Sequence, residues 1–327
     1  MVSLFFCCSS KKDKPIEYFV LNPEFLTDSI YTRLPGSTLI HENYFLWTDP
    51  FSNEMFVKII DLKSNQQVGE MLGIGQGPKE FITPSFGTSL INDVLIFDLN
   101  SGKMATLSID SLLEKKEHLT VYGDKGDVIK DATRVFEFDE NILITLTPTN
   151  DKPFLFWHNG IPTAFGKYPI ETVINNSYDM FQGHLMYSPS HNLLLFSTYN
   201  FPYIALYEIK NNTINLVRDV FTDKMPSHTI IQGKMKVSEE TRGPIEITMT
   251  KDYIAVLQYD REDMTPSNYQ NAATKRPQTL FLYDYDLNLI KVVNVQKPIM
   301  RLASSEDNNA VYAIVLDPEY TLVKIDL

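Results

Sequence analysis

Six apolar runs recur along this chain at a near-constant interval, and each stops at a short polar connection. They are Tyr44-Phe-Leu-Trp-Thr-Asp49, Val94-Leu-Ile-Phe-Asp98, Ile142-Leu-Ile-Thr-Leu-Thr147, Leu193-Leu-Leu-Phe-Ser-Thr198, Tyr253-Ile-Ala-Val-Leu-Gln-Tyr-Asp260 and Val311-Tyr-Ala-Ile-Val-Leu-Asp317. Successive ends lie about fifty residues apart over the first three steps and about sixty over the last two. After each connection a second β-rich run begins, at Phe56, Met104, Phe154, Ile204, Leu280 and Leu322. Short runs rich in β-branched and aromatic residues, bounded by polar turns, read as strands. A period of this length means one supersecondary unit repeated along the chain.

Four-stranded units of about this length are the blades of a β-propeller. The sequence therefore predicts an all-β fold, a six-bladed β-propeller. The sixth unit runs out of chain at Leu327, after its third strand. Its fourth must come from the N-terminus, from residues 16–21 or 29–34, so the last blade is closed by an N-terminal strand and its exposed edge is removed. One such ring is one domain, residues 16–327, behind a leader and tether, residues 1–15. Helical periodicity is scarce, although residues 111–117 suit a turn of helix.

The first two units are joined by Leu72-Gly-Ile-Gly-Gln-Gly-Pro-Lys-Glu-Phe-Ile-Thr-Pro84. Its glycines permit backbone angles closed to other residues, and Pro78 and Pro84 suit a turn better than a central strand. It is not a nucleotide loop: no Walker spacing is present, and a hairpin follows where a dinucleotide fingerprint needs a helix. In a four-stranded unit, the connection into the first strand and the one between the second and third lie at the same end. The 73–84 joint and the two long insertions, 222–243 and 260–279, therefore share one face of the disc. Long loops on a rigid scaffold are where binding resides, and Tyr269 in the second insertion is a candidate contact.

Charge and cysteine content narrow the partners. With 29 Lys and Arg against 41 Asp and Glu, the net charge is −12, which repels a phosphate backbone and argues against nucleic acid. No run of about twenty apolar residues is present to span a membrane. Both cysteines, Cys7 and Cys8, lie in the opening Met-Val-Ser-Leu-Phe-Phe-Cys-Cys-Ser-Ser, so thiolate chemistry is excluded from the body. An apolar run ending at Cys and followed by Ser-Ser and charge reads as the end of a lipoprotein signal, with Cys8 or Cys7 lipidated. The apolar part is shorter than a full signal core and lacks a basic start, so two incidental cysteines are the alternative.

Candidate chemistry comes from the innermost strands, which line the central channel. Aligning their starts sets Phe86, Arg134, Glu246 and Arg301 at similar levels. Two guanidiniums and one carboxylate suit a carboxylated or sugar-like ligand, and the alternative is internal ion pairing that fills the channel mouth. The six histidines show no metal-ligand spacing and read as scattered strand or surface residues. Trp47 and Trp157 read as packing residues between blades. The aspartates recurring at strand ends read as turn caps.

Gly75-Gln76-Gly77-Pro78-x-Glu80-Phe81-x-x-Pro84 followed by a hairpin resembles the NHL-type pattern, and the whole chain resembles the TolB-like six-bladed propeller lipoproteins of the bacterial cell envelope. The sharp motif occurs once, and Lys79 stands where that family often has glycine. The resemblance implies a propeller exported to the envelope and no particular reaction. The expectation is a lipid-anchored monomer that needs no cofactor. It touches the membrane only through its anchor and binds a glycan, a peptide or an envelope protein on one propeller face. The alternative is a propeller hydrolase or lactonase-like enzyme, which needs Glu, Asn and Asp clustered at the inner strand starts to hold a divalent ion.

Overall fold

The computed structural model describes residues 15–91, 94–122, 126–149, 151–210, 213–238, 243–259 and 277–327. Two short strands come first, β1 (Glu17–Val20) and β2 (Glu24–Thr27). Unit one is β3 (Thr38–His41), β4 (Tyr44–Thr48), β5 (Met55–Asp61) and β6 (Gln66–Gly73). Unit two is β7 (Ser85–Ser89), β8 (Val94–Asp98), β9 (Lys103–Leu107) and β10 (Leu119–Val121), and unit three is β11 (Arg134–Asp139), β12 (Ile142–Leu146), β13 (Phe154–His158) and β14 (Ile161–Phe165). Unit four is β15 (Gly183–Ser188), β16 (Leu193–Thr198), β17 (Tyr203–Lys210) and β18 (Thr213–Phe221). A hairpin, β19 (His228–Ile231) and β20 (Lys234–Val237), precedes unit five, which is β21 (Glu246–Met249), β22 (Ile254–Leu257), β23 (Thr279–Tyr283) and β24 (Leu289–Asn294). Unit six is β25 (Ile299–Ser304), β26 (Ala310–Leu316) and β27 (Tyr320–Asp326).

Within each unit consecutive strands pair antiparallel, and a parallel contact between β7 and β11 merges units two and three into one sheet. The first strands of the units neighbour one another in turn: β7, β11, β15, β21, β25 and β3. Among the described residues six hydrophobic clusters fill the interfaces between neighbouring units, including one between units six and one that joins Met300 and Ile314 to Phe45 and Trp47. The fold is thus an all-β propeller.

The second strands explain the unbroken apolar runs. Every residue of β8 is buried. Side chains alternate across a strand, so Val94 and Ile96 enter the cluster shared with unit one while Leu95 and Phe97 enter the one shared with unit three. A strand covered on both faces has no position for a polar residue until it reaches its end. There Asp98, fully buried, accepts from the amides of Ile82 (2.6 Å), Thr83, Asn100 and Ser101 and from the Ser101 hydroxyl (2.8 Å). The strand-end aspartate is a turn cap here, and it also clamps the connection entering its own unit.

The glycine-rich joint is a structural clasp. Phe81 is fully buried between units one and two, its amide donates to Gly73 O, and its carbonyl accepts from Gly75 N. The Glu80 carboxylate folds back to accept from Gly77 N at 2.8 Å, and a Cβ on Gly75, at φ +154°, would stand 2.0 Å from Glu80 Oε2. Lys103 Nζ ties the turn to unit two through Gly77 O and Glu80 O.

The N-terminal strands differ in place from the expectation. Neither residues 16–21 nor 29–34 supply the strand beside β27; β2, lying between those stretches, pairs antiparallel with it. The stronger β run, β1, lies parallel to β24 at the outer edge of unit five. Its four residues are all exposed, so burial does not dictate its partner. Residues 111–117 contribute to a short helix, Ile109–Leu113, capped by Ser108. Trp47 is buried as expected, whereas Trp157 is only partly covered and donates to Thr145 Oγ1 at 3.3 Å.

Candidate functional site

Each inner strand starts at the same end of the channel, the end that carries the 73–84 joint and the β19–β20 hairpin. A cavity of about 390 Å³ occupies the channel there. It is lined by residues of all six inner strands, among them Arg134, Glu246, Arg301 and Phe86. The three charged residues are brought together because Arg134 opens β11, Glu246 opens β21 and Arg301 lies near the start of β25.

Arg301 is fixed first by the main chain. Its Nε donates to Gly36 O at 2.7 Å and its Nη1 to Met300 O at 2.8 Å. Nη1 also lies 3.1 Å from Glu246 Oε1. Arg134 donates through Nη1 to Thr133 O at 2.6 Å and through Nη2 to the Tyr199 hydroxyl. Arg134 is therefore held by uncharged groups, and Arg301 by two main-chain carbonyls together with Glu246.

Two further residues complete the mouth, and sequence reasoning passed over both. His184, in β15, is buried and donates through Nε2 to Ile245 O at 3.2 Å. A carbonyl has no proton to give, so the imidazole proton sits on Nε2 and Nδ1 is left as an acceptor. Tyr199 follows β16 and meets the imidazole edge-on, with ring centroids 4.8 Å apart. His184 is thus not one of a scattered set. It stands at the start of the fourth inner strand, where Arg134, Glu246 and Arg301 stand in theirs, and the same alignment of strand starts finds it. Tyr199 lies in a connection with no periodic signal.

The electrostatics follow from burial. Loss of water pushes the Glu246 carboxyl up to about 7, against the pull of Arg301 and Arg134. Burial, reinforced by the Arg134 charge, holds His184 down to about 3, so it is neutral. Burial also raises the Tyr199 phenol, which keeps its proton. The mouth thus offers two fixed cationic forks, one carboxyl poised near neutrality, one neutral acceptor nitrogen and one hydroxyl. It can bind an anion bearing hydroxyl groups. A divalent cation is poorly matched, since a single carboxylate and one imidazole face two guanidiniums. Among the described residues no three His, Cys, Asp or Glu side chains come together as metal ligands.

Phe86 forms part of the apolar wall with Ile40, Leu185, Met186 and Ile247. Tyr269, Cys7 and Cys8 lie outside the described residues. The channel mouth is not the largest cavity. One of about 620 Å³ opens at the opposite rim, beside the β11–β12 and β13–β14 turns. Glu137 at its side is 7% exposed and accepts from Ser89 Oγ at 2.8 Å and the Tyr122 hydroxyl at 3.2 Å. It sits between units two and three, whereas the mouth lies where all the inner strands converge.

A family model described as TolB-like 6-blade propeller-like matches residues 19–307. Comparison with curated proteins finds no match by sequence. Among solved structures, a Bacteroides fragilis protein described as exported is similar over 95% of this chain and 98% of its own, with 11% identity and a TM-score of 0.58. A member of the DUF4221 family from Bacteroides vulgatus is similar over 93% of this chain and 95% of its own, at 8% identity and a TM-score of 0.58. A calcium-binding regucalcin from Agrobacterium tumefaciens gives 96% of each chain, 11% identity and a TM-score of 0.54. At these identities the likeness establishes the fold alone.

Proposed function

The chain belongs to the TolB-like 6-blade propeller-like family, and on that premise we propose that it is a binding protein of the bacterial cell envelope. It takes a small carboxylated and hydroxylated group, from a glycan or a peptide, at the channel mouth. The observation that carries this reading is the convergence of Arg134, Arg301, Glu246, His184 and Tyr199 on one cavity. Convergent polar groups inside an otherwise apolar ring are the usual make-up of a small-molecule site. Both arginines are anchored by protein partners, so neither guanidinium depends on a ligand for its position. The experiment is a binding screen of acidic and neutral sugars and short peptides by calorimetry, repeated on R134A/R301A. Loss of an identified ligand in the double variant supports the site, and unchanged binding sinks it.

The ring is read as six blades over residues 16–327, with β2 as the strand that closes the last blade and residues 1–15 as a tether. Lipidation of Cys8 or Cys7 gives the tether its anchor, and one structural neighbour described as exported supports the same address. A fatty-acid probe should label the full-length protein in cells, and the double Cys→Ser variant should lose the label. A wild-type protein that stays unlabelled leaves the two cysteines incidental.

A further inference from the structure

We propose that Glu246 sets the charge of the ligand this site accepts, making it selective for monoanions such as a uronic or hydroxy monocarboxylic acid over dianions of similar size. The proposal rests on the channel-mouth reading above and adds to it a rule for selectivity.

Among the described residues the titratable side chains that face the cavity are few. They are Arg134 from β11, His184 from β15, Tyr199 from the β16–β17 connection, Glu246 from β21 and Arg301 from β25. The remaining inner strands, β3 and β7, present Ser, Thr, Gly and apolar residues only. Both arginines are cationic at any working pH. His184 is neutral, since burial and the two guanidiniums oppose a third positive charge and outweigh its bond to the Ile245 carbonyl, which favours the charged ring. Glu246 balances one of the two arginines through the 3.1 Å contact with Arg301. Among the described residues one positive charge is left without a counter-ion in a largely desolvated place, and a single ligand carboxylate neutralises it.

Donors are available for that carboxylate. Arg301 uses Nε and Nη1 in its bonds to the protein, and its Nη2 makes none to a described residue. Arg134 uses Nη1 and Nη2, and its Nε likewise makes none. Each guanidinium thus keeps one nitrogen to donate to a carboxylate oxygen, as a charge-assisted hydrogen bond. The His184 Nδ1 acceptor and the Tyr199 hydroxyl proton suit hydroxyl groups beside it. A second ligand carboxylate has no such partner while Glu246 is ionised, and like charges this close in a poorly solvated site repel.

Removing the Glu246 charge should therefore invert the preference. The test is calorimetric titration of the purified protein with D-glucuronate, a monoanion, and D-glucarate, a dianion. At pH 8 the wild type should bind glucuronate the tighter, and E246Q should bind glucarate the tighter, a relative change of about tenfold or more. The wild type itself should drift toward the E246Q ranking as the pH is lowered from 8 to 6, a readout that needs no variant to fold. The same ranking for both proteins and at both pH values overturns the charge rule while leaving the binding site standing. No binding of either sugar acid by either protein overturns the rule together with the reading beneath it.

Discussion

His184 donates its Nε2 proton to the carbonyl of Ile245, 3.2 Å away, which ties the imidazole to the residue just before Glu246. Two titratable groups with opposed histories thus share one hydrogen-bonded step of main chain. Burial lowers the imidazole from 6.5 to about 3 and raises the carboxyl from 4.5 to about 7. The signs then differ. The stability that neutral His184 contributes is complete above about pH 6.5 and is lost as pH falls toward 3. The stability that protonated Glu246 contributes is complete below about pH 4.5 and is lost as pH rises through 7. Between pH 4.5 and 6.5 the two slopes oppose each other and the wild-type profile from this pair is nearly flat.

The single variants should expose the hidden slopes. Over pH 4.5 to 6.5, E246Q should grow more stable with rising pH and H184Q less stable, each by roughly 1 kcal/mol per pH unit. Urea denaturation at three pH values across the interval measures this. Slopes of the same sign in the two variants would show that the titrations belong elsewhere.

Asp98 makes a second prediction. Its carboxyl, pulled below the usual range by the amides of Ile82 and Thr83 and the Ser101 hydroxyl against the penalty of burial, contributes stability above about pH 4 that is lost as pH falls further. D98A should leave the Ile82 and Thr83 amides without their acceptor and cost about 2–4 kcal/mol. D98N keeps an acceptor oxygen and should cost less. Thermal melts at neutral pH separate the two, and an equal loss in both would assign the effect to charge instead of to the lost acceptor.

What the sequence revealed follows from how each position is constrained. The β8 run was legible because burial on both faces leaves no freedom of composition from Val94 to Phe97. Arg134, Glu246 and Arg301 were legible because the repeat period aligns the inner strand starts, and the channel they line is common to all units. His184 obeys the same alignment but was masked by its type, since a lone histidine in a strand suits a core as well as a site. Tyr199 reaches the mouth from a connection, where the period carries no information. The N-terminal strands were misplaced because local propensity does not choose a partner. Glu24-Phe-Leu-Thr27, a weaker β run than Glu17-Tyr-Phe-Val20, is the one whose chain position sets it beside β27.

The clasp between units one and two should fail at Gly75. Its backbone lies at φ +154°, where a side chain is strained, and an added Cβ meets Glu80 Oε2 at 2.0 Å. G75A should cost about 1–3 kcal/mol. E80A should cost less, about 1 kcal/mol, through loss of the bond to the Gly77 amide. The double variant should be more stable than the sum of the two losses implies, because removing the carboxylate relieves the clash but not the backbone strain. Strict additivity would place the whole cost of G75A in the backbone.

The β19–β20 hairpin lies on the face of the disc that carries the candidate site, packed over the seam between units three and four. Asn176 holds it as a strand would, accepting from the Met235 amide at 2.9 Å and donating to the Met235 carbonyl at 3.0 Å. The neighbouring Asn175 amide adds a bond to Gly233 O at 2.7 Å, and the Met235 side chain is buried in the cluster between units three and four. The opposite strand gains little from the body, since all four residues of β19 are exposed. N176A should therefore cost about 2 kcal/mol, taken mainly from the docking of the hairpin, because among the described residues this side chain's polar atoms bond only to Met235. Limited proteolysis should then cut within residues 222–238 faster than in the wild type, while amide exchange of β16 and β17 stays unchanged. If exchange quickens in those strands to the same degree, the hairpin is part of the folding unit of the ring and not a separately docked element.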